Sequence, residues 1–528
     1  MSYAQPVAPN APAAAALEQR EGLSGRMVNA TLLSVLGQVL PLGMALLATP
    51  FVLRLLGPAQ YGVFSLLTAT LTYFVLAAGL GMGLASTRFA SDALARGDEQ
   101  EEVAVVWTTV LIAFVPSAVI AVALWFGAGH LAHLLHVPAR LHYRAVVCFR
   151  IAAFAGMARI AANIFNTPQL ARLKWSTYIL VDAGANVLQV VLTPIVLLLW
   201  PNVIGALMVV CFAALAAALG QLALSARLQP ALLRPRVRRS LARPLIAFGG
   251  GLAVSALANV PLTNAAQFLL AGLVSVREVA YYAVALSIAS LLTVVPLALS
   301  APLLPAVMQV RHNLPRLAQL YALALRLLSL WIVPAAALLL FAARPLISVW
   351  AGPRYGAKST DAVYIMLVGV VLNVLDYGPQ TLLEAHGRTR TIALVRLLEL
   401  GPVIALTVIL IKAFGVDGAA LAWSLRFAIE TVVFTVLAYR VTGLTPRALF
   451  SGGLRHAFAL LVLFAPPGIA VLLGAKGAVV LGLALSFSAV HVVLTWRSVL
   501  TDRERDWVRG SLARRLPLGR LRWRARTA

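Results

Sequence analysis

Charged residues are scarce in this sequence. Of its 528 residues, only 12% are Asp, Glu, Lys or Arg, whereas 61% are hydrophobic. A soluble domain carries about twice that share of charge, so a soluble fold is excluded. Many apolar stretches are long enough to cross a bilayer as helices. The short alternating segments that a membrane β-barrel requires are missing, and we therefore predict an all-α polytopic membrane protein.

Cysteine is nearly absent, and no catalytic motif is found. Cys148 and Cys211 both lie in predicted spans, which argues against a disulfide framework or a thiolate zinc site. His130, His133 and His136 lack the further ligand that zinc needs, and we interpret them as an interfacial segment. There is no phosphate-binding glycine-rich loop, nucleophile elbow or HExxH motif. We therefore expect a transporter rather than an enzyme, with no cofactor and no metal.

Acidic residues are also few, with 18 Asp and Glu against 43 Lys and Arg, for a net charge of +25. The basic residues concentrate in the loops on one side of the predicted spans, by about two to one, and the positive-inside rule assigns that side to the cytoplasm. Because the predicted number of spans is even, both termini would lie there. No basic module interleaved with aromatic residues occurs, so we expect no nucleic-acid partner.

We predict fourteen spans, arranged as two lobes of six helices and a terminal pair. The N-terminal segment has no apolar core of a cleaved signal peptide, and we expect it to be disordered. The Arg-rich C-terminal segment is expected to rest on anionic lipid or to bind a partner. The predicted boundaries are 1–27 for the N-terminal tail, 28–226 for the N-lobe, 227–244 for a basic cytoplasmic linker, 245–441 for the C-lobe, 442–496 for helices 13 and 14, and 497–528 for the basic cytoplasmic tail.

The second lobe repeats the first in outline. Three stretches of the first half recur in the same order in the second half: LRLLGPAQYGVFSL (53–66) as AGLVSVREVAYYAV (271–284), ARLKW (171–175) as GRTRT (387–391), and PNVIGALMVV (201–210) as GVDGAALAWS (415–424). An even number of spans in each copy gives both lobes the same orientation, as in transporters built from parallel repeats.

Three motifs carry a family resemblance: LLGPAQYGVFSL (55–66), GLGMGLASTRFASDALARGD (79–98) and VWAGPRYGAKSTDAVYIM (349–366). With them, the chain resembles the bacterial polysaccharide flippases of the O-antigen type, in the multidrug, oligosaccharidyl-lipid and polysaccharide exporter superfamily. The resemblance implies a flippase of the bacterial inner membrane that moves a polyprenyl-pyrophosphate-linked oligosaccharide. It also implies alternating access through a cationic central cavity, with membrane lipids and the polysaccharide polymerase and export machinery as partners.

Charged side chains inside the predicted spans are the candidate functional residues, because an ion in hydrocarbon is costly. Arg159 and Asp182 reach similar depths from the loop between their spans and can pair. Arg426 and Glu430 are one helical turn apart. The candidates for substrate binding are Arg326, Arg150, Arg159, Arg396, Arg426 and Arg88, the last matching a basic residue of the resembling family, and the candidates for ion coupling or salt bridges are Asp182, Asp376, Glu399 and Glu430.

Each candidate also has a purely structural interpretation. Buried pairs can serve only to let polar helices pack, and Arg88 can be an ordinary positive-inside anchor. Arg150 and Arg326, which have no acid partner on their own helix, can extend toward lipid headgroups.

Three alternative functions stay open at this point. A multidrug exporter of the same superfamily would favour acids over arginines in its spans, and arginines are here at least as numerous. A polysaccharide polymerase or ligase would need a large periplasmic loop, and the outside loops at 127–143 and 344–360 are short. A scaffold that transports nothing is compatible with the sequence.

The predicted topology is directly testable with reporter fusions. A fusion after Lys358 should behave as periplasmic and a fusion after Arg239 as cytoplasmic. The positive-inside rule assigns the loops that contain these two residues to opposite sides of the membrane. Alkaline phosphatase and green fluorescent protein activities measure the two sides. The reverse pattern would show that the orientation is wrong.

Overall fold

The computed structural model describes residues 11–79, 81–293, 296, 303–304, 306–444, 465–473 and 477–498. Side chains of residues 11–42 and 251–261, and of scattered positions that include Arg326, lie outside the description. The described residues form helices and no β-strand, which confirms the all-α fold class. Seven of the described helices are long and apolar enough to cross a membrane, and the total of fourteen spans stays a prediction.

The chain forms two compact units, Met1–Asn264 (unit 1) and Ala265–Ala528 (unit 2). A 3-10 turn, Pro230–Leu233, precedes α8, and the unit boundary falls inside that helix. The helices of unit 1 are α1 (Ala11–Gly79), α2 (Met82–Ala95), α3 (Glu99–Leu134), α4 (Ala139–Phe165), α5 (Thr167–Ala171), α6 (Trp175–Leu199), α7 (Val203–Leu228) and most of α8 (Arg239–Leu273). Unit 2 contains the end of α8 and then α9 (Val276–Leu291), α10 (Leu314–Trp350), α11 (Pro353–Ala385), α12 (Thr389–Thr442), α13 (Ala465–Leu472) and α14 (Gly477–Ser498).

The N-terminal segment differs from the sequence expectation. Helix α1 begins at Ala11, inside the segment predicted to be disordered. Alanine has the highest helix propensity of all residues, and the run APAAAALEQ explains why a helix forms there. Residues 1–10, and residues 499–528 of the predicted basic tail, lie outside the described part of the chain. The predicted domain boundaries stay a prediction.

The first duplicated corner is closed by different residues in the two units. In unit 1 the long helix α1 breaks at Gly57, whose φ of 68° and ψ of 171° are accessible to glycine at low cost. In unit 2, α8 ends at Leu273 and Ser275 caps α9, its side chain accepting a hydrogen bond from the backbone N–H of Glu278. The position of the corner therefore recurs although its chemistry does not.

The third duplicated stretch behaves in the same way. In unit 1 the chain leaves α6 and starts α7 behind Asn202, whose side chain accepts a hydrogen bond from the Ile204 N–H at 3.1 Å. In unit 2 the matched stretch begins at Gly415, which breaks α12 with a φ of 58°. The range of α12 therefore contains two predicted spans, as does that of α1.

Small residues let the helices approach closely. A Cβ added at Gly156 would lie 2.6 Å from Cδ1 of Phe74, and one added at Gly378 would lie 2.5 Å from Cε2 of Tyr321. Because each glycine lacks a Cβ, it leaves room for an aromatic ring of a neighbouring helix. Close approach through small residues is the usual source of packing energy between helices in a membrane, where there is no hydrophobic driving force between them.

We expect Gly156→Ala to lower the free energy of unfolding by about 1–3 kcal/mol, because the added methyl group would displace the Phe74 ring. Gly184 on α6 has open space around its Cβ position, so Gly184→Ala is the matched control. It should leave stability unchanged or raise it by up to about 1 kcal/mol. Unfolding of the purified protein in detergent measures both variants, and equal effects would contradict the packing argument.

Candidate functional site

Five ionisable side chains of unit 2 come together between α11 and α12: Asp376, Arg396, Glu399, Arg426 and Glu430. Arg426 donates from Nη2 to Glu430 Oε1 at 2.9 Å, and its Nε lies 3.6 Å from Glu399 Oε1. Arg396 Nε lies 3.8 Å from Glu430 Oε1. Asp376, Arg426 and Glu430 are at most 4% exposed. These five residues are called the buried charge cluster below.

The backbone break in α12 positions this cluster. Gly415 reverses the chain, and Glu399 and Glu430 lie at nearly equal distances from it along the sequence, so they reach the same depth. Gln380 connects α11 to α12 because its Oε1 accepts a hydrogen bond from Arg396 Nη2 at 3.2 Å. The pair Arg426–Glu430, predicted from its spacing, is confirmed. The cross-pairs between the two halves of α12 were not predicted.

The buried charge cluster contains one more acid than base. At full ionisation, three carboxylates face two guanidinium groups. Among the described residues Asp376 forms no ion pair, and its Oδ1 accepts no hydrogen bond. A buried ion without a partner costs several kcal/mol. Counted over these five described residues, the cluster is therefore short of one positive charge, which a proton or a bound cation can supply.

The corresponding ion pair in unit 1, Arg159–Asp182, has no net charge and is more exposed than the buried charge cluster. Arg159 Nη1 lies 3.6 Å from Asp182 Oδ1, which confirms the predicted pairing. Asn186 holds the two in place: its Oδ1 accepts from Arg159 Nη2 at 2.9 Å, and its Nδ2 donates to Asp182 Oδ2 at 3.4 Å. Both charged side chains are about one third exposed. Water or a ligand can therefore reach this pair, unlike most of the buried charge cluster.

The other predicted arginines lie elsewhere. The Arg88 guanidinium carbon is 4.4 Å from the ring centroid of Phe248 on α8. The Arg150 guanidinium carbon is 5.0 Å from the ring centroid of Trp125 on α3. The side chain of Arg326 lies outside the described residues. No contact brings Arg88 or Arg150 to the Arg159–Asp182 pair in the described part of unit 1, and roles in substrate binding stay predictions.

A buried ion pair at the start of α3 was missed by the sequence analysis. Glu102 is fully buried, and both of its carboxylate oxygens pair with the Arg172 guanidinium, with 2.9 Å between Nη2 and Oε2. Next to it, Gln169 on α5 donates to Gln221 Oε1 at 2.8 Å. Both charged residues lie outside the long apolar stretches of the sequence, in segments where ions are normally solvated. Only the burial of the short helix α5 distinguishes them, and no sequence pattern signals it.

The sequence matches a known protein family. The profile of the family described as "Polysaccharide biosynthesis protein" matches residues 27–310, more than half of the chain. The chain belongs to this family. A protein of Shigella flexneri described as "Putative O-antigen transporter" is 23% identical over 197 residues, which are 37% of this chain and 47% of that protein. The match thus spans about half the length of the curated relative.

Solved structures share the fold at low sequence identity. The lipid II flippase MurJ in an inward closed conformation has a TM-score of 0.71 at 10% identity, over 89% of this chain and 100% of that chain. An inward-facing multidrug resistance transporter of the MATE family has a TM-score of 0.65 at 14% identity, over 76% and 95%. These similarities show that the chain has the same fold as these transporters.

Because Arg426 is buried and Arg159 is partly exposed, we expect their mutation to lower the free energy of unfolding by different amounts. Arg426→Ala should lower the free energy of unfolding by about 3–5 kcal/mol, because it leaves buried carboxylates without their partner. Arg159→Ala is the control and should cost no more than about 1 kcal/mol, since water solvates the remaining Asp182. Unfolding in detergent measures both. Equal losses would contradict the difference in burial, and Arg426→Met combined with Glu430→Gln should recover much of the loss.

Proposed function

We propose that this chain is a flippase that carries a polyprenyl-pyrophosphate-linked oligosaccharide across the bacterial inner membrane for the synthesis of surface polysaccharide. The family, the name of the Shigella flexneri relative and the fold shared with a lipid II flippase support a lipid-linked glycan as the cargo. The observation that carries transport as the activity is the buried charge cluster in unit 2. Hydrophobic residues of similar volume would stabilise a passive scaffold at least as well as these ions.

The surplus carboxylate of the cluster supports ion coupling. Asp376 takes up a proton or a monovalent cation in one state of the transport cycle and releases it in another. While Asp376 is charged, it competes with Glu399 and Glu430 for the two guanidinium groups; once it is neutral, the two arginines balance the other two acids. An ion gradient thereby changes the pairing between α11 and α12, and it supplies the energy in a chain without a nucleotide-binding motif.

The pyrophosphate of the carrier needs a cationic partner during its passage. A guanidinium matches phosphate oxygens with its fork of donors, and Arg159 is the best-placed arginine of unit 1. Its side chain is partly exposed, and Asp182 lies at 3.6 Å, beyond a short charge-assisted hydrogen bond. An incoming phosphate can therefore displace Asp182 at little cost. Alternating access through a cationic central cavity completes the proposed mechanism, with the isoprenoid chain remaining in lipid.

The cellular setting follows from this proposal. The chain is a multi-pass membrane protein, and we place both termini in the cytoplasm, where the glycan is assembled on its carrier. The polymerase and export machinery that use the flipped glycan are the proposed protein partners. Arg88, Arg396 and Arg326 remain candidates for further contacts with the headgroup.

The proposal is tested by transport in proteoliposomes with a short glycan on polyprenyl pyrophosphate. Wild-type protein should move the glycan across the bilayer, and an imposed proton or sodium gradient should accelerate the movement. Asp376→Asn should abolish the acceleration, because an amide cannot take up the coupling ion. Arg159→Ala should reduce transport at least about tenfold, the effect of losing one charge-assisted contact.

Asp361→Asn is the matched control, since Asp361 is exposed and lies on the same helix, α11. It should leave the gradient dependence intact. Wild-type protein that inserts normally but does not move the glycan would refute the flippase assignment. If the gradient accelerates Asp376→Asn as much as the wild type, only the proposed role of Asp376 is refuted, and the flippase assignment stands.

A further inference from the structure

Unit 1 contains an apolar groove that the proposed transport function does not use. Helices α3, α4 and α7 surround a cavity of about 780 Å³. Its walls include Val110 and Phe114 of α3, Met157 of α4, and Cys211 and Leu215 of α7. A volume of this size is typical of ligand pockets, and the walls select for hydrocarbon.

The groove offers no unsatisfied polar group along its described walls. Ser117 is the one wall residue with a hydroxyl group, and it donates from Oγ to the carbonyl of Ala113 at 2.6 Å. Phe114, Phe154 and Leu215 are each about half exposed. In a chain that spans a membrane, exposed apolar side chains of this kind face lipid. The open side of the groove is therefore suited to contact with lipid chains.

A cationic group marks one end of the groove. Arg150 directly precedes the wall residue Ile151, donates from Nε to the Trp125 carbonyl at 3.4 Å and stacks on the Trp125 ring. Phe154, also a wall residue, packs edge-on against the same ring, with 5.8 Å between centroids. The terminal nitrogens of Arg150 make no hydrogen bond to the described chain, and its side chain is exposed. A fixed, exposed guanidinium thus lies at the entrance of a hydrocarbon slot.

The position of Arg150 along the helices matches a lipid headgroup. Beyond Trp125, the hairpin from α3 to α4 becomes polar, with histidines and arginines in GAGHLAHLLHVPARLHYR (127–144). Tryptophan is enriched at the membrane interface, so the Trp125–Arg150 pair marks this boundary. From Ile151 to Ile164, the last wall residue of α4, the helix rises about 20 Å. The groove is thus long enough to cover the depth of one leaflet of hydrocarbon, which is about 15 Å, half of a core of about 30 Å.

We propose that this groove binds one anionic phospholipid. An acyl chain occupies the slot between α3, α4 and α7, and the phosphate binds the free edge of the Arg150 guanidinium. The lipid comes from the leaflet on the side of the turn between α3 and α4, which is the outer leaflet in the predicted topology. A polyprenyl chain is much longer than the groove, so the occupant is a membrane phospholipid and not the carrier of the glycan. This role agrees with the interpretation in which the side chain of Arg150 extends toward a lipid headgroup and does not bind the cargo. The role does not depend on the identity of the cargo.

The proposal is tested by native mass spectrometry of the full-length protein after removal of lipid in detergent. Titration with dioleoyl phosphatidylglycerol should show one lipid bound more tightly than the rest, and phosphatidylethanolamine should bind there more weakly. Arg150→Gln should weaken that first binding event about tenfold, the effect of losing one charge-assisted hydrogen bond. Arg150→Lys should retain part of the affinity, because a point charge replaces the fork.

A second pair of variants tests the slot separately from the headgroup. Leu215→Trp fills the groove from its open side, where folding is least at risk, and should also abolish the tight binding event. Leu198→Trp on α6 is the matched control, since Leu198 is exposed but lies outside the groove. It should bind phosphatidylglycerol like the wild type.

Photocrosslinking locates the lipid. Phosphatidylglycerol with a diazirine in its acyl chain should label peptides from residues 110–117, 151–164 and 208–219 above all others. Labelling spread evenly over the exposed apolar faces would overturn the proposal. So would first-lipid affinities that are equal in wild type, Arg150→Gln and Leu215→Trp, or retention of a polyprenyl phosphate in place of phospholipid. Each readout is a binding measurement, so a failed transport assay would leave it unaffected.

Discussion

The cost of an ion in hydrocarbon is the constraint on which the arrangement of unit 2 depends. Arg426 and Glu430 are almost fully buried, and neither is tolerable in the membrane without the other. The further pairs Arg396–Glu430 and Arg426–Glu399 require the two halves of α12 to lie side by side, which the break at Gly415 allows. The hydrogen bond from Arg396 to Gln380 then fixes α11 against α12. Helix packing in this unit is organised around polar contacts as well as apolar ones.

The two units apply this constraint differently. The pair Arg159–Asp182 in unit 1 is balanced in charge and partly exposed, so its partners can exchange at small cost. The buried charge cluster of unit 2 has a surplus carboxylate among the described residues and is mostly buried. In the proposed mechanism, the first site therefore exchanges a ligand and the second exchanges an ion.

The sequence predicted those features that depend on local patterns. Hydrophobic length identified the helical fold. Similar depth from the intervening loop identified the pair Arg159–Asp182, and helical spacing identified the pair Arg426–Glu430. The cross-pair between Arg396 and Glu430 depends on how the two halves of α12 pack, which no periodicity encodes. Glu102 was missed for a related reason: its ion pair depends on Arg172, at the end of the short helix α5, reaching the start of α3. The apolar groove was equally invisible, because its walls are the same residue types that face lipid everywhere else.

In the proposed mechanism, the surplus charge also links ion binding to the access of water in unit 2. With a proton or cation on Asp376, the buried charge cluster is balanced and can be sealed from water. Without it, sealing leaves an unpaired carboxylate in a medium of low dielectric constant, at a cost of several kcal/mol. Sealed conformations are therefore favoured when the ion is bound, and open conformations when it is released. Because such coupling is reciprocal, any contact of the cargo that stabilises a sealed conformation of unit 2 must also tighten the binding of the ion. The direction of the proposed coupling follows from the three carboxylates that face two guanidinium groups among the described residues.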